Sequence, residues 1–204
     1  MTDFSDAELI QRFRHGQLHS FNLLVWRWQK PIFNFLYRFL SNQQDAEDAC
    51  QKTFLKVYQK LSALKETDKF RLWLYQVAAN EARDQLRQRK RQPQVSLDAI
   101  SESRSDAEAG GSPEYSDPAT PETDRNLYLT ELRQIFAGAM KEIPAEQRVV
   151  IVMKIYQGLK FIEIAEILQE SQNTIKSRMY YGLKTLRQVL QKQNFSEEVL
   201  NYEL

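Results

Sequence analysis

The sequence predicts an all-α protein of two small helical modules joined by a flexible acidic linker. Three observations carry that expectation. Apolar residues recur at three-to-four spacing along both halves of the chain, the signature of amphipathic helices. Between the halves, residues 92–125 lose the pattern and hold four of the chain's six prolines, two glycines, six serines and one aromatic, Tyr115. Charge is partitioned the same way, although the 204-residue chain carries a net charge of only +1. Residues 1–91 hold 16 lysines and arginines against 10 acids; residues 92–125 hold 2 against 8. Residues 126–194 hold 10 against 6, and residues 195–204 add three acids. Two basic bodies flanking an acidic strip suit two nucleic-acid-facing modules better than one enzyme with a central cleft.

The first module, residues 1–91, opens with a helix over 6–15, N-capped by Ser5 with Glu8 completing a capping box. Residues 18–40 are helical and aromatic-rich. Phe21, Leu24, Val25, Trp28, Ile32, Phe35 and Phe39 fall on the core side, and Pro31 either kinks the segment or opens a second helix. A helix over 45–61 buries Ala46, Cys50, Phe54, Val57 and Leu61. It turns Asp45, Asp48, Gln51, Lys52, Leu55 and Gln59 elsewhere, and an outward Leu55 among polar neighbours marks a protein-binding face. After a loop over 62–69, a long helix over 70–91 buries Phe70, Trp73, Leu74, Val77, Ala78 and Leu86. Its end carries Arg83, Arg87, Arg89, Lys90 and Arg91. A helix dipole favours cations there, but this run exceeds what a cap requires, so phosphate contact is the expected role.

Residues 92–125 read as a disordered acidic linker whose charge repels DNA. As a coil it spans about 32 Å, and fully stretched about 115 Å, enough to hold two modules on DNA sites a couple of turns apart. The second module, residues 126–194, begins with a stripe of Leu129, Leu132, Ile135, Phe136, Ala139 and Ile143. Pro144 then starts a helix over 145–156 with Val149, Val150, Met153 and Tyr156 inward, and Gly158 closes it. Two short helical patterns follow. Leu159, Ile162, Ala165 and Leu168 share one face; Ile175, Met179, Leu183, Leu186 and Leu190 share another. Gln169, Glu170 and Ser171 leave room only for a tight turn, with Ser171 as N-cap. That is a helix-turn-helix, whose second helix normally enters the DNA major groove. From 173 to 190 this helix carries Lys176, Arg178, Lys184 and Arg187 and no acid, as a phosphate-facing surface requires. The tail, residues 195–204, is short, acidic and expected to be loose.

Other classes are disfavoured. One cysteine, Cys50, leaves no internal disulfide, and with His15 and His19 as the only histidines a metal centre is not expected. No cofactor motif and no catalytic constellation stands out, so the chain is read as a non-enzyme. It has no run of eighteen apolar residues and no signal-peptide pattern, so a cytoplasmic protein is expected.

The motifs together resemble those of bacterial RNA polymerase sigma factors of the extracytoplasmic-function (ECF) group. The residues DAEDACQKTF are similar to that family's polymerase-binding helix, and FRLWLYQVAANEARDQLRQRKR to its promoter-opening helix, through Trp73, Leu74, Ala78, Asn80, Asp84 and Arg87. EIPAEQRVVIVMKIYQGLKFIEIAEIL followed by SQNTIKSR resembles its helix-turn-helix module. The modules would then be sigma regions 2 and 4. The resemblance implies docking of Asp45, Glu47, Asp48, Gln51 and Leu55 on the clamp helices of core RNA polymerase. It implies a flipped promoter base held by Asn80 and the 62–69 loop at the minus-ten element, with Lys69, Arg83, Arg87, Lys90 and Arg91 on the backbone. Thr174, Lys176, Ser177, Arg178 and Arg187 would read the minus-thirty-five element as duplex. An anti-sigma factor is an implied partner, and stress-responsive transcription the implied setting. Two departures bear on the recognition helix: Gln172-Asn173 replaces a commonly small residue, and Gly182 replaces a usual alanine at a cost of about 1 kcal/mol in helix propensity. The competing reading is a stand-alone helix-turn-helix regulator with an N-terminal effector or dimerisation module, which would bind duplex DNA by itself.

Overall fold

The computed structural model describes residues 4–91 and 123–192, and side chains throughout except at 90, 91, 123–131 and 133. The expected linker, apart from its last three residues, and the expected tail lie outside the described residues. Helix α1 (Asp6–Arg14) leads into α2 (His19–Leu40) and α3 (Gln43–Lys60). Two short 3₁₀ turns, Leu61–Ala63 and Thr67–Lys69, then carry the chain into α4 (Phe70–Arg91). The second half runs α5 (Thr123–Glu142), α6 (Ala145–Ile151), a π-helical turn (Val152–Tyr156), α7 (Phe161–Leu168) and α8 (Gln172–Lys192). No strand occurs among the described residues.

Local chemistry accounts for the starts. Ser5 and Glu8 form the reciprocal capping box: the Glu8 N–H donates to Ser5 Oγ, and the Ser5 N–H donates to Glu8 at 2.7 Å. Glu8 is held below its ordinary carboxylate range by those Ser5 bonds, the backbone one first. Helix α3 begins two residues before the expected Asp45 because Asn42 supplies the cap, its Oδ1 accepting from the Asp45 N–H at 2.9 Å. Pro31 removes one N–H from the α2 ladder without ending the helix, and the segment runs on as one element to Leu40.

The first module packs α1–α4 around Leu24, Ile32, Phe35, Phe39, Phe70 and Tyr75, all at most 2 % exposed. Burying each such side chain contributes about 1.5–3 kcal/mol. Tyr75 meets Phe35 edge-on at 5.4 Å and Trp28 at 6.4 Å. Trp28 also donates its indole N–H to Asp6 at 3.0 Å, which fastens α1 onto α2. Thr53 sits fully inside α3 because its hydroxyl donates back to the Ala49 carbonyl at 2.7 Å.

The second module is aliphatic inside: Val149, Val150, Val152, Met153, Leu159, Ile164 and Ile175 are sealed. Arg148 is buried too and donates to the carbonyls of Met140 and Lys141, at 3.1 and 3.4 Å, at the end of α5. Burial pulls its pKa below the usual arginine value. Two expectations change here. Tyr156 is exposed rather than inward, because the π turn over 152–156 widens the helix and shifts the phase of every residue after Ile151. Ile162 is also exposed. Leu159 lies outside α7, so its phase does not carry into the helix, which buries Ile164, Ile167 and Leu168 instead. Gly158 takes φ +64° just after the π turn, a conformation glycine adopts without strain.

Gly182 has a packing role that propensity alone does not reveal. A Cβ there would meet Ile151 Cδ1 at 2.8 Å and Gln147 Cβ at 3.2 Å, so its absence lets α8 lie close against α6.

Candidate functional site

Three surfaces matter: the outer face of α3, the exposed side of α4 with the 62–69 loop, and the outer face of α8. On α3, Glu47, Asp48, Gln51 and Leu55 share one open face, and Leu55 is 57 % exposed. Gln43 donates to Glu47 at 3.0 Å across one turn of that face. Asp45 differs. Its carboxylate accepts from Gln85 Nε2 at 3.2 Å and pairs with Arg89 at 2.8 Å, so it ties the start of α3 to the basic end of α4. Deeper between these helices, Lys56 pairs with Glu81, a carboxylate only 8 % exposed. These two links fix the angle between the acidic face of α3 and the basic edge of α4.

Asn80 is exposed on α4, as are Arg87 and Arg89. Arg87 lies 3.6 Å from Asp84. Arg83 is half-buried, and burial and the neighbouring Arg178 both lower its pKa, while Glu170 opposes them. The side chains of Lys90 and Arg91 lie outside the described residues. The 62–69 loop is fastened by Arg14, which donates to the Leu64 carbonyl. Lys69 pairs with Glu66 at 2.7 Å and Glu166 at 3.5 Å, and its pKa is raised, chiefly by the Glu66 hydrogen bond.

In the helix-turn-helix, Gln169 takes the left-handed conformation (φ 55°) that ends α7. Ser171 accepts from the Thr174 N–H at 3.1 Å and its hydroxyl lies 2.8 Å from that of Thr174, so this expected reader is already engaged in the cap. Lys176, Ser177 and Arg187 are exposed on α8. Arg178 folds back: its guanidinium donates to Glu170 at 2.9 Å and lies 3.8 Å from Glu146. Sequence reading passed over Tyr180 and Tyr181, which are 65 % and 55 % exposed and pack edge to face at 5.4 Å. Their spacing from Lys176, Ser177 and Lys184 already set them on the same cationic face.

Among the described residues no group of acids, histidines and cysteine is placed to hold a metal ion, and no helix is long and apolar enough to cross a membrane. The arrangement offers docking surfaces. One is acidic with an apolar anchor, and two are basic.

Comparison with known proteins agrees in both halves. The family "Sigma-70 region 2" matches residues 24–92, and "Sigma-70, region 4" matches residues 133–186. The chain is 33% identical to the ECF RNA polymerase sigma-E factor of Escherichia coli (strain K12), covering 86% of this chain and 89% of that one. It is 29% identical to the RNA polymerase sigma-H factor of Pseudomonas aeruginosa, covering 94% and 96%. Among solved structures, the sigma factor RpoE in complex with the anti-sigma factor NepR from Bartonella quintana has a similar fold. The TM-score is 0.62 at 24% identity, covering 84% of this chain and 96% of that chain.

Proposed function

The chain belongs to the ECF group of RNA polymerase sigma factors and directs promoter-specific transcription initiation; from that premise we propose how its surfaces divide the work. The outer face of α3 docks on the clamp helices of core polymerase, with Leu55 as the apolar anchor and Glu47, Asp48 and Gln51 meeting basic partners. Asp45 acts beneath that face, holding Gln85 and Arg89. The observation that carries this reading is the open acidic face of α3, which the fold itself leaves unused around an exposed leucine.

Asn80 and the 62–69 loop receive a base extruded from the minus-ten element, and Lys69, Arg83, Arg87, Lys90 and Arg91 follow the backbone. Extruding a base costs a few kcal/mol, which polar contacts and nearby cations must offset. Thr174, Lys176, Ser177, Arg178 and Arg187 meet the minus-thirty-five element as duplex. In this reading the protein does no chemistry of its own. It works in the bacterial cytoplasm, where the polymerase is, and is restrained by an anti-sigma factor, as the Bartonella relative is seen bound to one.

Co-elution with core polymerase followed by run-off transcription tests the assignment. Wild type should co-elute and yield start sites that core alone does not. Asp48→Arg should abolish co-elution while leaving the fold intact, and Arg178→Ala should weaken upstream duplex recognition without affecting polymerase binding. A chain that ignores core polymerase yet binds duplex DNA alone would instead support the stand-alone regulator.

A further inference from the structure

We infer that residues 193–204 fold back along the outer face of α8 and occupy it in the free protein, so that this acidic segment and duplex DNA compete for one surface. This builds on the duplex-reading role proposed above for that helix.

Lys176, Tyr180, Lys184 and Arg187 recur at three-to-four spacing and so share one side of α8, with Ser177 beside them. Lys176, Ser177 and Lys184 are exposed, and no acid occurs between Gln172 and Lys192. Tyr180 stands between the two lysines and is 65 % exposed; Tyr181, at its flank, is 55 % exposed and packs edge to face against it. Two rings set against each other and left open to water, with a cation one turn away on either side, suit an occupant that is both apolar and acidic.

Residues 193–204, QNFSEEVLNYEL, have that composition. They hold Glu197, Glu198 and Glu203 and no lysine or arginine, together with Phe195, Val199, Leu200, Tyr202 and Leu204. A segment that only needs to stay in water has no use for so many apolar side chains. The reach is sufficient. Tyr180 lies about 18 Å back along the helix from Lys192, at about 1.5 Å per residue, and Lys176 about 24 Å. With about three residues spent on the reversal, the remaining nine or so extend about 30 Å. The order also fits. Running antiparallel to α8, Glu197 and Glu198 pass Arg187 and Lys184 before Leu200 and Tyr202 arrive at the ring pair. Ion pairs at such an open surface are weak one by one, but the tether supplies an effective concentration on the order of millimolar. Duplex phosphates engage the same cations, so the segment weakens every duplex by the same factor.

The test compares the full chain with one ending at Asn194. Removing residues 195–204 should shift the backbone amide resonances of Lys176, Ser177, Tyr180, Tyr181 and Lys184 and leave those of α3 in place. It should also tighten binding to a duplex taken from a promoter found by run-off transcription, about fivefold at about 0.1 M salt and less as salt rises. In the full chain, Glu197→Gln with Glu198→Gln should reproduce both effects. Unchanged α8 resonances, or shifts that fall instead on the first module, overturn the inference. Shifts that grow with protein concentration overturn it too, since they place the segment on a second copy. Concentration-independent shifts confined to α8, in a protein that binds no duplex with or without the segment, keep the contact and overturn the duplex-reading role instead.

Discussion

The two modules solve the same packing problem with different materials. Every buried aromatic among the described residues (Phe13, Phe35, Phe39, Phe70 and Tyr75) lies in the first module, whereas the second is sealed by valine, isoleucine, leucine and methionine. Aromatic rings remove more surface from water per residue and add edge-on contacts. The first module thus has an aromatic core beneath the surface proposed to hold an extruded base. The second has a shallower core, one buried arginine and a π turn near its edge, and some of its polar groups find partners on the first. The contrast is between a platform knitted by rings and an aliphatic module that takes some of its polar partners from it.

The largest break should come from the aromatic core. Phe35→Ala should cost about 3–5 kcal/mol, read as a lowered urea midpoint, and should abolish co-elution with core polymerase. In the second module, Ile164→Ala should cost about 2–4 kcal/mol yet leave polymerase binding through α3 in place; equal damage to both functions would mean that the modules fold as one unit. Arg148→Ala strips two α5 carbonyls of their donor and should cost about 2 kcal/mol in the same measurement. Two carboxylates of α3 sharpen the comparison further. Asp45→Ala should lower stability by about 1 kcal/mol, since its partner Arg89 is half exposed, whereas Asp48→Ala should leave stability unchanged and weaken polymerase binding.

The smallest effect concerns Cys50, whose thiol burial pushes up to about 11 from an ordinary value of 9.0. The neutral form is the one the fold favours. Its contribution to stability is therefore complete below pH 9 and is lost as pH rises toward 11. Alkylation of the folded protein at pH 8 should be much slower than in urea, and equal rates would place the thiol outside the core.

Much of this was legible in the sequence because its causes are local. The Ser5–Glu8 box, the Ser171 cap and the α8 stripe of Ile175, Met179 and Leu190 depend on residues at most a few turns apart. What escaped depends on distant partners. Nothing beside Asp45 announces that Gln85 and Arg89, forty residues on, will hold it. No residue type in VMKIY marks a π turn, and Tyr156 accordingly faced the wrong way. Periodicity identified the outward face of α4 but not that α7 lies against it, since a pattern shows which side is polar and not what stands opposite.

The contact between Lys69 and Glu166 joins two halves of one chain, and that has a consequence for dosage. Its formation is a first-order event, so the fraction of copies that make it is the same whether a cell holds few copies or many. A separate partner is exhausted by overexpression; an internal contact is carried along by every new copy. Raising the amount of this factor would leave the share of copies that make the contact unchanged, so the contact sets no threshold, and any sharp onset in a cell would have to originate in another molecule.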